Sequence, residues 1–483
     1  MSIANALNNA ISGLTAVSRG TEVVSSNLAN ALTPGYSRRE LELSPRMLAG
    51  NGGGVQVSAV NRIVSNTLLA DLRLANADMG RSSVAHGFHL MLEKAIGLPQ
   101  DAGSLPALVS GLETALVSSA VRPDSDNRLR AVADAANQLA GRITSISEAI
   151  QDSRTNADRE IGLRVAALND DLHEVARLNR QIIIEQANGR EAASMLDARQ
   201  AVIERISVIV PLREMPRDNG WIALFTVSGA TLLDGKAPLD IGFSPAGRLT
   251  AEMDPDSGPP GRLFIDGEAA NDHQMAMFAG GSLSELFRLR DDYAVAAQAG
   301  LDAFARELYD RFSAADPTVD PGRPGLFTDG GGDFDPANER GLAARLRLNA
   351  NIDPDQGGAV WRIRDGLNAA LPGDVGDSHI LNALAATMNA IHGFSSPAAP
   401  GSSGTPATFA AGLLSDAASA RLTAELRMTH DTARHDSLRG ALLAQGVDSD
   451  REMEMLLQLE KAYAANARVI QAVNEMLDSI LRI

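Results

Sequence analysis

Both ends of this chain carry a long helix whose apolar residues recur every seven positions, and such a helix cannot bury its seam alone. Near the N-terminus Ile3, Ala10, Val17 and Val24 fall on one heptad position, and Leu7, Leu14, Thr21 and Leu28 on the other. The spacing predicts a helix over 3–30. Thr33-Pro34-Gly35 stops it, because the residue before a proline is pushed out of the α region. Near the C-terminus Leu456, Tyr463, Ile470 and Leu477 share one position, and Leu459, Asn466, Val473 and Ile480 the other. This helix opens after Gly446, where Ser449-Asp450-Arg451-Glu452 fits a capping box. Two arrangements bury both seams: the ends pair with each other, or each pairs with another chain.

The remaining face of the first helix carries Asn5, Asn8, Asn9, Ser12, Ser18, Ser25, Ser26, Asn27 and Asn30, with Arg19 and Glu22 as its charged residues. A Ser/Asn face avoids like-charge repulsion when identical copies pack side by side. A helix buried within its own domain would show the same face. On the first reading the assembly interface comprises Leu7, Leu14, Val17, Val24, Leu28, Leu456, Tyr463, Ile470, Val473 and Leu477. An isolated helix of this length is marginal in water, so both ends are expected to be unstructured until copies assemble.

Between the ends the pattern changes twice. Residues 38–60 read as loop and strand around Gly52-Gly53-Gly54. From 63 to 210 the period is helical, with Leu163, Leu168, Leu172, Val175 and Leu178 on one long helix. Trp221 to Val227 and Leu263-Phe264-Ile265 read as strands, separated by turns at Asp234-Gly235 and Ser257-Gly258-Pro259-Pro260-Gly261. Helix resumes over 283–312. Residues 316–338 and 395–405 are Gly-, Pro- or Ser-rich loops. The expected organisation is therefore an axial helix and loop at 1–62 pairing with a C-terminal axial helix at 441–483. A helical domain fills 63–210 and 281–440, interrupted by a β-rich insertion at 211–280. The fold class is mainly α and multidomain: paired terminal coiled-coil helices, a long helical bundle and a small β-rich inserted domain. The insertion is expected to be peripheral, so that a Gly/Ser linker in its place leaves the bundle folded.

Composition limits the chemistry. Of the 483 residues 45% are hydrophobic but only 4% aromatic, so the core is aliphatic and suits packed helices. A net charge of −17 disfavours nucleic acid and anionic membranes as partners. No cysteine is present, which removes disulfides, thiolate metal sites and cysteine nucleophiles. No apolar run reaches the roughly 18 residues of a membrane span, and the first residues lack the basic and apolar regions of a cleaved secretory signal. Gly229 to Lys236 has a phosphate-loop outline with one residue too many, and Ala237 stands where Ser or Thr is required. Asp329, Asp333 and Asp335 suggest a calcium loop, but its twelfth position would be Arg340, so a solvated acidic loop is expected. His86 and His89 share a helix face without a third ligand. Ser402 and Ser403 lack the context of a nucleophile elbow. No cofactor, no metal and no enzymatic activity are expected.

Leu28-Ala29-Asn30-Ala31-Leu32-Thr33-Pro34-Gly35-Tyr36-Ser37-Arg38-Arg39 resembles the motif that follows the first helix of the flagellar rod, hook and hook-associated axial proteins. Asn30, Thr33, Pro34, Gly35, Tyr36, Ser37 and Arg38 carry the match, and Leu32 stands where those proteins usually have a second Asn. The C-terminal stretch from Gly446-Val447 to Met476-Leu477-Asp478 resembles the matching end of the same family. Ser37-Arg38, Leu178-Asn179-Arg180-Gln181-Ile182, Leu196-Asp197-Ala198-Arg199-Gln200 and Gly325-Leu326-Phe327 are similar to landmarks of its hook-associated protein 1 branch. The resemblance implies a structural adaptor at the hook–filament junction, outside the cell, exported by the flagellar type III route without a cleaved signal. The implied partners are a ring of its own copies, the hook protein, hook-associated protein 3 and an export chaperone on the C-terminal helix. A hook or distal-rod structural protein is the alternative, disfavoured by the chain length and the long helical middle.

Overall fold

A computed structural model describes residues 3–48, 51–235, 237–253 and 260–481. Helix α1 (Ile3–Ala29) leads into an antiparallel hairpin of β1 (Arg39–Leu48) and β2 (Asn51–Arg62), which pairs Arg39 with Arg62 and Leu41 with Val60. Bulges follow Glu42 and Pro45. Pro45 is tolerated because both edges of a two-stranded ribbon are free. The hairpin lies on α1. The Val55 N–H donates to Ser12 Oγ at 3.2 Å, and a Cβ at Gly54 (φ +95°) would fall 2.0 Å from that oxygen.

The body is built on α2 (Asn66–Ile96), α3 (Leu105–Val121), α4 (Asp126–Ala187) and α5 (Ala193–Ile209). At 62 residues, α4 is about 90 Å long at 1.5 Å per residue. Its buried positions Ile161, Leu168, Leu172, Val175 and Ile182 keep the helical period. Leu163, expected on that seam, is 59% exposed; it stands two residues beyond Ile161, well round the helix from the buried stripe.

The insertion holds two three-stranded antiparallel sheets: β3 (Leu212–Pro216), β4 (Ile222–Thr226) and β5 (Thr231–Leu233), then β6 (Ile241–Phe243), β7 (Leu263–Ile265) and β8 (Glu268–Ala269). Lys236 and the expected turn residues Ser257 to Pro259 lie outside the described residues. The insertion is not peripheral. Leu212, Ile222, Leu224, Leu232, Leu263 and Phe278 belong to the same buried core as the bundle helices. Two buried guanidiniums bind it down. Arg154 on α4 donates to the Thr250 carbonyl at 2.9 Å and to the Met253 carbonyl. Arg290 donates to the Gly261 carbonyl at 3.0 Å and pairs with Asp158 at 2.6 Å. Asp158 also accepts the Ala246 N–H at 2.7 Å. A turn-rich composition suggested a detachable unit because carbonyls offered to arginines far away in sequence leave no mark on the local pattern.

Helix α6 (Gly281–Arg288) continues through a π turn at Leu289–Tyr293 into α7 (Ala294–Ala315). Residues 316–378, expected to be helical beyond 338, are largely loop with short helical turns and a ribbon pairing 327–329 with 346–348. The acids of the suspected calcium loop are already engaged: Asp329 with Arg345 at 2.7 Å, Asp333 with Arg323, and Asp335 accepting the Ala337 N–H at 2.9 Å. Asp333 and Asp335 are exposed, in keeping with the expected solvated acidic loop, and Asp329 is half-buried. Helices α8 (His379–Asn389), α9 (Pro406–Leu443) and α10 (Ser449–Leu481) complete the chain. Helix α9 runs antiparallel to α2, with Arg421 meeting Glu93 and Arg434 meeting Asp78 at 3.2 Å. It buries Ala410, Ala417 and Ala424, seven apart, small enough for close approach.

Candidate assembly interface

The two ends of the chain meet. Of the two arrangements open to the heptad seams, the structure has α1 and α10 packed together as an antiparallel pair. Both are helical over Ile3–Ala29 and Ser449–Leu481, and the β1–β2 hairpin covers another side of α1.

The register is written in three contacts. A Cβ added at Gly13 would meet the Asn466 side chain at 2.8 Å, and one at Gly20 would meet Leu459 at 3.0 Å. Asn27 donates to Glu452 Oε2 at 3.1 Å. Each step of seven up α1 is answered by a step of seven down α10, as an antiparallel heptad pair requires. The closest approach thus runs along Gly13, Gly20 and Asn27, one residue before the expected Leu14, Thr21 and Leu28. Glycines there let the backbones come near enough for Leu459 and Asn466 to fit.

At the third contact the pair is locked by charge. Arg38 Nε donates to Glu452 Oε1 at 2.8 Å, and the two side chains are 10% and 2% exposed. Asn27, 1% exposed, also donates to the Arg39 carbonyl at 2.8 Å and accepts the Arg39 N–H at 3.0 Å and the Tyr36 hydroxyl at 2.9 Å. Every polar atom named is thereby paired, which a buried ion pair needs to avoid a net desolvation cost. The expected capping box is corrected here. Asp448 caps α10, accepting the Asp450 and Arg451 N–H groups at 3.0 and 3.3 Å, while Glu452 turns away to Arg38.

The family-type motif folds into this lock in two halves. Asn30 and Thr33 close a turn, with the Thr33 N–H donating to the Asn30 carbonyl at 2.9 Å. Gly35 takes φ +80°, a left-handed conformation that favours glycine. Leu32, Thr33, Pro34 and Gly35 are exposed; Ser37 and Arg38 are buried. The next arginines face the body. Arg62 pairs with Asp197 at 2.7 Å and donates to Ser37 Oγ and Gln200 Oε1, each at 3.0 Å. Arg39 lies 3.7 Å from the same carboxylate and over the Tyr36 ring at 4.9 Å. Arg38 therefore ties the hairpin base to the axial pair, and Arg39 and Arg62 tie it to α5. The central landmarks meet as well: Arg199 donates to Asn179 Oδ1 at 2.8 Å and to the Gly220 carbonyl at 2.9 Å. Burial pushes the Arg199 guanidinium down to about 10.

Of the heptad residues singled out in the sequence, Val17, Val24 and Val473 are buried, and Leu7, Leu14, Leu456 and Ile470 are half-buried. Leu28, Tyr463 and Leu477 are exposed, at 38%, 53% and 38%. Sequence reasoning missed Gly13, Gly20, Asn27, Glu452, Arg39 and Arg62. For the first four a signal existed: glycines and an amide seven apart on one helix, answered by a carboxylate and an amide fourteen apart on the other. No group of three or more His, Asp or Glu suited to a metal ion occurs among the described residues. No helix among them is long and apolar enough to cross a membrane.

Residues 7–36 match the family described as flagella basal body rod protein, and residues 438–483 the flagellar basal body rod FlgEFG protein C-terminal family. Residues 91–317 match the flagellar hook-associated protein FlgK helical domain. Flagellar hook-associated protein 1 of Salmonella typhimurium is 28% identical over 324 residues, covering 64% of this chain and 56% of that one. The match therefore spans about half the length of that relative. The Bacillus subtilis protein of the same name is 23% identical over 520 residues, covering 98% of this chain and 97% of its own. A solved structure titled as the flagellar hook junction protein FlgK from Burkholderia pseudomallei overlays with a TM-score of 0.44 at 19% identity, covering 54% of this chain and 47% of that one. With the rod-type families at the two joined ends and the hook-associated helical domain between them, the chain is similar from end to end to flagellar hook-associated protein 1.

Proposed function

We propose that this chain is a structural adaptor of the bacterial flagellum, set at the junction between hook and filament and needed for filament assembly. The observation that carries the reading is the joining of the two ends by the Arg38–Glu452–Asn27 lock. It makes one axial stem from segments that match rod-type families at either terminus, while the helical body matches the hook-associated type. Such a stem offers copies of itself the face of α1, whose charged residues are Arg19 and Glu22. The stem's exposed apolar residues include Leu28, Tyr463 and Leu477.

The role is mechanical rather than enzymatic. Copies form a ring through their stems, seated on hook protein below and meeting hook-associated protein 3 above. A dedicated chaperone holds the C-terminal helix before export through the flagellar type III channel, and the assembled protein lies outside the cell. Deleting the gene tests this. Electron microscopy is expected to show hooks without filaments, with unpolymerised filament protein in the medium. Normal filaments on the mutant would overturn the reading.

A further inference from the structure

Leu32 is 97% exposed on a turn that is not free to fold it away. The Asn30 side chain donates to the Ser26 carbonyl at 2.9 Å, the Thr33 N–H to the Asn30 carbonyl at 2.9 Å, and the Tyr36 N–H to the Thr33 carbonyl at 3.2 Å. Tyr36 is in turn anchored on Asn27. A rigid turn presenting a whole leucine to solvent has the form of a knob.

The opposite end of α1 has a hole. A groove of about 620 Å³ runs between α1 and the β1–β2 hairpin, lined by Asn8, Ile11, Thr15, Val55 and Val57. Ile11 is 49% exposed. The walls are held together by Ser12, whose hydroxyl accepts the Val55 N–H at 3.2 Å and donates to the Asn9 carbonyl at 2.9 Å.

Charge selects the occupant. The chain carries 60 acidic and 43 basic residues, a net charge of −17, so two copies repel each other overall. Residues 28–36 contain no charged side chain, and the groove contains no acid, its one charge being Arg46. Two acid-free patches, one convex and one concave, thus lie at opposite ends of one helix. They stand roughly 30 Å apart by the rise of α1, so a knob cannot reach its own groove. A contact between two different patches on identical chains is heterologous, and it propagates into a ring or a helix.

We propose that Leu32 of one copy docks into the groove of the next, against Ile11, Val55 and Val57, setting the head-to-tail step between stems. This rests on the reading that copies assemble around a hook, and it names the partner surface of that assembly.

The absence of cysteine gives a clean test. The full chain carrying both Ile11→Cys and Leu32→Cys is expressed in the deletion strain, and isolated hooks are oxidised. A bridge needs Cα atoms within about 7 Å, which excludes one within a chain. A ladder of covalent multimers is expected from the double variant, and none from either single variant. Hooks that carry the protein but give no ladder overturn the contact, as does a bridge to any other protein. Hooks that carry none of the protein overturn the assembly reading and the contact with it. As a second measurement, Leu32→Asp should keep wild-type helicity while its incorporation falls about tenfold or more, and Leu32→Met should incorporate normally. Wild-type incorporation of Leu32→Asp overturns the proposal.

Discussion

Replacing Arg38 by Met is the most direct test of the lock between the chain's ends. It leaves the Glu452 carboxylate, 2% exposed, with Asn27 as its remaining named donor at 3.1 Å. Breaking a buried ion pair from one side typically costs about 3–5 kcal/mol. Two features favour the lower end of that range: the contact is a single N–H···O bond at 2.8 Å rather than a fork, and Asn27 stays. We expect about 3 kcal/mol. Glu452→Met strands the guanidinium instead, which still has Glu40 at 3.5 Å, so its cost should be smaller. The double variant replaces the pair with apolar side chains and should recover much of the loss, giving a coupling of at least ~2 kcal/mol. Because stem and body need not unfold together, the assay is amide hydrogen exchange on α10 between Leu456 and Val473 in the full chain. A loss of ~3 kcal/mol corresponds to roughly 150-fold faster exchange. A coupling below ~0.5 kcal/mol, the scale of an exposed pair, would refute the reasoning.

Gly20→Leu should force α1 and α10 apart at Leu459 and cost about 1–3 kcal/mol in stem protection, whereas Gly20→Ala should be close to neutral, its gain in helix propensity offsetting the tight contact. Body protection unchanged by Gly20→Leu would agree, and an unchanged stem would not. Replacing residues 212–280 with a Gly/Ser linker should unfold the body, seen as lost helicity in circular dichroism, because it removes shared core and the carbonyl partners of Arg154 and Arg290. A folded body would show that the insertion is dispensable. Asp302 accepts the Gly341 and Ala343 N–H groups at 2.8 Å each and the Gln298 amide at 2.9 Å. Burial outweighs these three donors and pushes its carboxyl up from 3.8 to about 6. A raised folded-state value contributes stability that is complete below about pH 4 and is lost as pH rises through 6, by up to ~3 kcal/mol. Asp302→Asn should flatten that slope in urea unfolding between pH 4 and 6.5, and an identical slope in both proteins would exclude Asp302 as its source.

The stem was legible because its signals are local and periodic. Ile3 to Asn30 and Ser449 to Ile480 advertise their helices through spacing, and Thr33-Pro34-Gly35 marks a stop by backbone sterics. Which residues face each other was harder. Apolar content pointed to Leu14 and Leu28, but the closest approach chose Gly13, Gly20 and Asn27, since a helix pair draws together where side chains are smallest. Glu452 looked like a capping residue because its neighbours permit that role. Asp448 took the cap, and Arg38, 414 residues away, supplied a stronger partner.

The sequence by itself determined that the chain is mainly helical, that its ends carry matched heptads, that the turn after α1 needs Pro34 and Gly35, and that its landmarks resemble those of one flagellar family. These properties depend on backbone sterics and on patterns within a few turns of chain. Only the tertiary structure decided the register in which the ends pair, that Arg38 serves the stem while Arg39 and Arg62 serve the body, and that the β-rich insertion shares the bundle's core. Those outcomes depend on long-range pairing of buried charge and on carbonyls presented to distant guanidiniums. Their energies exist only when water is excluded by parts of the chain that no local pattern brings together.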